Sequence, residues 1–164
     1  MGLKNKDGVD IKDVWKNEGI KSYMGMTFEG FPNCFMIYSP HAPTALSNGP
    51  TIIESQADMI TEFISSLETA KAKSVTPTAP AQEQWVETVN DLANMTLLPL
   101  TNSWWTAANV PGKKVQSLTY ILGIQQYEAT CREVLDGMKG FEVEYEDGKT
   151  KIDQEMPTKA TAAA

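Results

Sequence analysis

Apolar residues recur at three- and four-residue spacing in three stretches of the chain. Ile52, Ile53, Met59, Ile60, Phe63, Ile64 and Leu67 form one stripe that predicts an amphipathic helix running to about residue 70. Its start falls near residue 50: Asn48 or Gly49 can cap it, Pro50 suits a first helical position, and Thr51 with Glu54 fits a capping box. Trp85, Val86, Val89, Leu92, Ala93 and Leu97 mark a second helix, opened by Pro80 and ending near Leu98 and Pro99. Leu118, Ile121, Ile124, Tyr127, Cys131 and Val134 or Leu135 mark a third, weakened by Gly123 and stopped by Gly137. Residues 22–27 and 34–39 read as two short strands around a Gly-Phe-Pro-Asn turn. The second is apolar nearly throughout, which predicts a central strand buried on both faces. Residues 141–145 alternate as a short strand does. The fold class expected is α+β, mainly helical.

The remaining stretches lack either period. Residues 1–20 read as a polar lead-in, residues 74–80 as a turn or linker, and residues 153–164 as a disordered tail. Residues 40–50 connect a buried strand to a helix start, where free N–H groups favour electron-rich ligand atoms. Residues 101–114 form a long loop that carries Trp104 and Trp105. A connection of this length suits a binding loop; the indoles could equally plug the core beneath it. Side chains on consecutive residues do not readily face the same way.

Charge and composition remove several function classes. A net charge of −7 and a pI near 4.7 leave no basic face for nucleic acid. No apolar run approaches the roughly 20 residues a bilayer span needs, and the N-terminus lacks a signal-peptide core, so a cytoplasmic protein without a membrane partner is the default. Cys34 and Cys131 read as small buried hydrophobes, and with His41 as the single histidine no metal has a ligand set. No GxGxxG, GxxxxGK[ST] or GxSxG motif occurs. His41 could act as an acid or base, or be a loop histidine with its hydrogen bonds satisfied. Lys113 and Lys114 suit an anion, or solvent.

Several blocks nevertheless share an order and a spacing. These are Trp15 with residues 23–27, residues 30–35, residues 39–48, Ile53-Glu54, Trp85-Val86, residues 102–106 with 108–113, and residues 131–141. Together they resemble the C-terminal part of Baeyer–Villiger monooxygenases, flavin enzymes that insert one oxygen of O₂ beside a ketone. The resemblance implies FAD and NADPH as the family's cofactors, each on its own Rossmann domain, and a small lipophilic ketone as substrate. It places Pro40, Thr44, Ala45, Leu46 and Trp105 at the ketone, Asn48 and Gly49 at the flavin, and Trp104 at NADP on a closing loop. The cofactor fingerprints, the FxGxxxHxxxW signature and the family's catalytic arginine do not occur in this sequence. Ala107 stands where a glycine is usual, and His41 where the family more often has Gly or Gln.

The expectation is therefore a family C-terminal-like region over 1–143 with a mostly disordered tail over 144–164. It would be a truncated or split enzyme segment that binds neither cofactor and is not redox-competent alone, paired with itself or with a partner flavoprotein chain. The alternative is a cofactor-free isomerase, cyclase or dehydratase for a small lipophilic metabolite, with Trp104, Trp105, Tyr23, Tyr38 and residues 40–46 walling an apolar cavity and His41 or a nearby carboxylate moving protons, or a subunit that completes another flavoprotein.

Overall fold

The computed structural model describes residues 2–45 and 47–153. Leu46 lies outside them, as do residues 154–164, most of the expected tail. Among the described residues, four α-helices and a three-stranded sheet make an α+β fold in which helices predominate.

The four helices are α1 (Ile11–Glu18), α2 (Gly49–Thr69), α3 (Ala79–Asn94) and α4 (Gly123–Gly137). The long α2 buries Ile52, Ser55, Gln56, Met59, Ile60, Phe63 and Leu67. Ile53 and Ile64, counted in the stripe, are 42% and 39% exposed, because they flank the 3.6-residue line through 52, 56, 59, 63 and 67. For α3, the Thr78 side chain accepts from the Ala81 N–H at 3.3 Å and Pro80 sits in the first turn. This helix stops at Asn94, short of the predicted end, which leaves Leu97 76% exposed. α4 turns Tyr127, Cys131, Val134 and Leu135 inward, but residues 118–122, expected as its first turns, lie outside it. A helix also occupies the supposed lead-in. Asp10 caps α1 through the Lys12 N–H at 2.9 Å, and Ile11 and Trp15 pack with Phe28 and Phe31. Eight residues do not hold a helix in water, so α1 depends on that packing, which no local period reveals.

The sheet corrects the strand assignment. β1 (Ala72–Pro77), β2 (Phe141–Tyr145) and β3 (Thr150–Ile152) lie in the order β1-β2-β3, antiparallel, with Val75 opposite Val143 and Glu142 opposite Ile152. β2 was predicted, but β1 falls on the supposed linker. Pro77 ends an edge strand, a position that tolerates a missing N–H. Asn33 ties the outer edge of β1: its side-chain oxygen accepts from the Val75 N–H and its own N–H donates to the Val75 carbonyl, both at 3.0 Å. β3 completes a hairpin, so ordered structure continues past residue 143, the expected boundary. At 22–27 and 34–39 only isolated bridges form, Tyr23 with Thr27 and Thr27 with Phe35. Positive φ at Met24, Gly25, Asn33 and Tyr38 turns the chain back too often for a ladder.

The main core fills the space between α2, α3, α4 and the sheet. Trp85 stacks on Tyr120 at 5.5 Å between ring centroids, and Tyr127 meets both edge-on.

Candidate functional site

Residues 116–120, in no helix or strand, join the two loops singled out by the sequence. On one side the N–H groups of Gln116 and Leu118 donate to the carbonyls of Thr106 and Trp105 at 3.1 and 2.9 Å. On the other, the His41 N–H donates to Leu118 and the Tyr120 N–H to Ala42, at 2.9 and 3.0 Å. Where the loops meet lies a cavity of about 230 Å³ lined by Tyr38, Ser39, Pro40, Thr44, Trp104, Trp105 and Leu118. Pro40, Thr44, Trp104 and Trp105 are thus brought together, far apart in sequence and from two loops. Ala45 follows Thr44 beneath the wall, its N–H bonded to Thr119. Asn48 is exposed and Gly49 half-buried at the start of α2. A Cβ on Gly49 would stand 3.7 Å from the Tyr38 hydroxyl, so this helix end adjoins the cavity wall. A larger hollow of about 590 Å³ lies between the end of α2 and the β2–β3 turn. It holds none of the predicted residues, and within it Lys149 pairs with Asp147 at 2.7 Å.

The indoles share a face after all. Ser103 accepts from the Trp105 N–H at 3.2 Å and starts a 3-10 turn over Trp104–Thr106, which ends at Ala107 in the left-handed region (φ 56). That tight turn brings the ring centroids to 4.1 Å, tilted by 35°. Trp104 is 65% exposed and Trp105 half-buried; neither belongs to a core cluster. Lys113 and Lys114 are exposed.

His41 is fully buried, also at positive φ, and does not line the cavity. Its Nδ1 lies 2.9 Å from the Ser22 hydroxyl and its Nε2 3.4 Å from the Gln116 amide nitrogen. An amide nitrogen only donates, so Nε2 accepts, Nδ1 carries the proton, and Ser22 passes its own hydrogen to the Pro40 carbonyl at 2.8 Å. Burial pushes the imidazole pKa down to about 4, which keeps it neutral. The side chain braces residues 22, 40 and 116 against one another.

Ser39 and Leu118 complete the lining without having been expected there; Tyr38 lines it as the cofactor-free alternative expects, whereas Tyr23 is buried in the main core. The Gln56 side chain accepts from the Tyr38 N–H at 2.7 Å and donates to the Gly25 carbonyl and the Tyr127 hydroxyl, which fixes Tyr38 at φ 57. Leu118 was absorbed into a helical period; the β-forming run Leu-Thr-Tyr at 118–120 was the signal against that.

Among the described residues no group of three or more His, Cys, Asp or Glu side chains could hold a metal, and Cys34 and Cys131 are free thiols. Among them, too, no helix is long and apolar enough to cross a membrane. At the α2 start, the Asn48 side chain makes no capping bond, and the buried Ser47 hydroxyl has no hydrogen-bond partner.

No family model matches the chain. A Baeyer–Villiger monooxygenase of Pseudooceanicola batsensis is 42% identical over 127 residues, 77% of this chain and 23% of the relative. The FAD-binding monooxygenase VdtE of Byssochlamys spectabilis is 35% identical over 135 residues, 82% of this chain and 24% of the relative. The crystal structure of cyclohexanone monooxygenase from Rhodococcus sp. Phi1 bound to NADP+ superposes with a TM-score of 0.81 at 35% identity, covering 88% of this chain and 27% of that one. The chain spans about a quarter of the length of the relatives it matches. With sequence and fold agreeing over most of its length, the chain belongs to the Baeyer–Villiger monooxygenases, as the C-terminal part of their fold.

Proposed function

We propose that the chain supplies the pocket wall and the nucleotide-facing loop of an FAD- and NADPH-dependent Baeyer–Villiger monooxygenase acting on a small lipophilic ketone. Oxygen insertion then depends on cofactor-binding parts outside this sequence. The observation that carries the reading is the apolar cavity itself, closed by the tryptophan pair on one side and by Pro40 and Thr44 on the other. When bound, the cofactors supply the electrons and the activation of O₂. The chain's residues bind, orient and exclude water. Pro40, Thr44 and Trp105 border the ketone, with Ala45 next in the chain and Leu46 beyond it, outside the described residues. Trp104 offers an exposed indole face to the nucleotide. Asn48 and Gly49 present the α2 N-terminus to the flavin; the uncapped helix start and the unpartnered Ser47 hydroxyl fit a ligand edge with hydrogen-bonding atoms.

The cofactor-free alternative needs a proton carrier in the cavity. His41 offers none, since both of its ring nitrogens face protein groups, and no carboxylate is among the described residues that line the cavity. Exposed Met95, Leu97 and Leu100 give the missing parts, or a partner chain, an apolar surface to cover.

The purified chain, mixed with FAD, NADPH and cyclohexanone, is expected to retain no stoichiometric flavin and to show no ketone-dependent NADPH consumption. Substituted for the matching quarter of the Rhodococcus enzyme, it should restore ketone oxidation. A flavin-loaded chain that turns over ketone alone, or a folded chimera that binds both cofactors and is inert, overturns the proposal.

A further inference from the structure

We infer that Thr119 is a positioning residue that locks residues 40–45 to the tryptophan loop, so that the two walls of the cavity move as one body. Its side chain is fully buried, and its hydroxyl oxygen accepts from two consecutive backbone N–H groups, Thr44 at 3.2 Å and Ala45 at 3.1 Å. The Thr44 N–H is shared with the Ala42 carbonyl at 2.8 Å, and that carbonyl also accepts from the Tyr120 N–H at 3.0 Å. One residue earlier, the Leu118 N–H donates to the Trp105 carbonyl at 2.9 Å. A continuous hydrogen-bonded path therefore runs from Trp105 through Leu118 and Thr119 to Thr44 and Ala45, with no gap that could absorb a displacement.

The same clasp bears on specificity. Two converging amide hydrogens are a ready site for a ligand oxygen, and here a protein hydroxyl already holds both. The wall at Thr44 and Ala45 therefore offers a bound molecule shape and apolar contact in place of amide donors. This second point rests on the cavity being the ketone site; the coupling does not.

The test compares Thr119→Val, which keeps the shape and removes the acceptor, with Thr119→Ser, which restores it. Amide hydrogen exchange of the free chain is followed by NMR. In T119V the Thr44 and Ala45 amides should exchange at least about tenfold faster, returning near the parent rate in T119S, with Met59 and Phe63 on α2 as the reference for global stability. Trp105→Ala keeps the carbonyl that Leu118 meets but removes the indole packed on Trp104 and so loosens the loop; if the walls move as one body, it should quicken the same two positions and add little on top of T119V. If T119V loses protection throughout, the contrast between T119S and W105A carries the test. Unchanged exchange at Thr44 and Ala45 in T119V, no recovery in T119S, or strictly additive effects would refute the coupling. An inert chimera with this exchange pattern intact would count against the ketone reading alone.

Discussion

Residues 40–45 and 101–114 border the same cavity, yet the first stretch is tied down and the second lies mostly in solvent. Pro40, His41, Ala42, Thr44 and Ala45 each make hydrogen bonds to residues of other segments. In the second stretch only Thr106 and Ala107 are buried; Trp104 and residues 109–114 are exposed. The tied wall fixes the shape of the cavity. The open wall buries fewer of its residues, and segments with few buried contacts belong to the less stable parts of a fold. The two are not independent, because residues 116–120 run between them.

The largest expected effect breaks the tied wall. His41→Ala removes a buried ring and leaves one hydrogen of the Gln116 amide without an acceptor, the other still held by the Ile20 carbonyl, and should cost about 3 kcal/mol in denaturant unfolding. Acid should weaken the same wall. The folded pKa near 4 lies below the ordinary 6.5, so the unfolded chain takes up the proton first as pH falls. The stability from neutral His41 is complete above about pH 6.5 and lost on the way down through pH 4, on the order of 3 kcal/mol. His41→Gln should flatten that part of the pH profile; an unaltered slope would mean that the imidazole is not buried neutral.

Smaller effects sharpen the account of the open wall. Ala107 holds a left-handed backbone, a conformation that glycine adopts without strain. Ala107→Gly relieves about 1–2 kcal/mol of strain against roughly 0.5–1 kcal/mol of added chain entropy in the unfolded state. A small rise in melting temperature follows, and a fall would show that the turn is unstrained. Trp104→Ala should change stability by less than about 0.5 kcal/mol, as at an exposed site. It should still abolish the coupled indole signal in near-ultraviolet circular dichroism, since the rings are 4.1 Å apart. A core-sized loss of stability would erase the distinction between the walls.

Helix α2 was legible because its period, its proline and its cap candidates lie within one continuous stretch. The same logic failed at residues 34–39, where an apolar run suggested a strand although positive φ at Asn33 and Tyr38 prevents a ladder. It failed again at β1, where prolines suggested a linker and the pairing partner lies about 70 residues away in β2. Pro40, Thr44, Trp104 and Trp105 could be marked as site residues from the likeness of their loops to a known family. Thr119 could not, because its importance lies in which amides it meets.

By itself the chain determines its helical faces, the composition of its two unusual loops and the family it belongs to, since these depend on short-range periodicity and on residue order. Tertiary structure alone decided that the loops share a cavity, that His41 is sealed as a brace, and that the consecutive tryptophans lie together. The physical reason is reach. The bonds that set the site, Thr44 to Thr119 and His41 to Gln116, each join residues 75 positions apart, and no local preference encodes such a meeting.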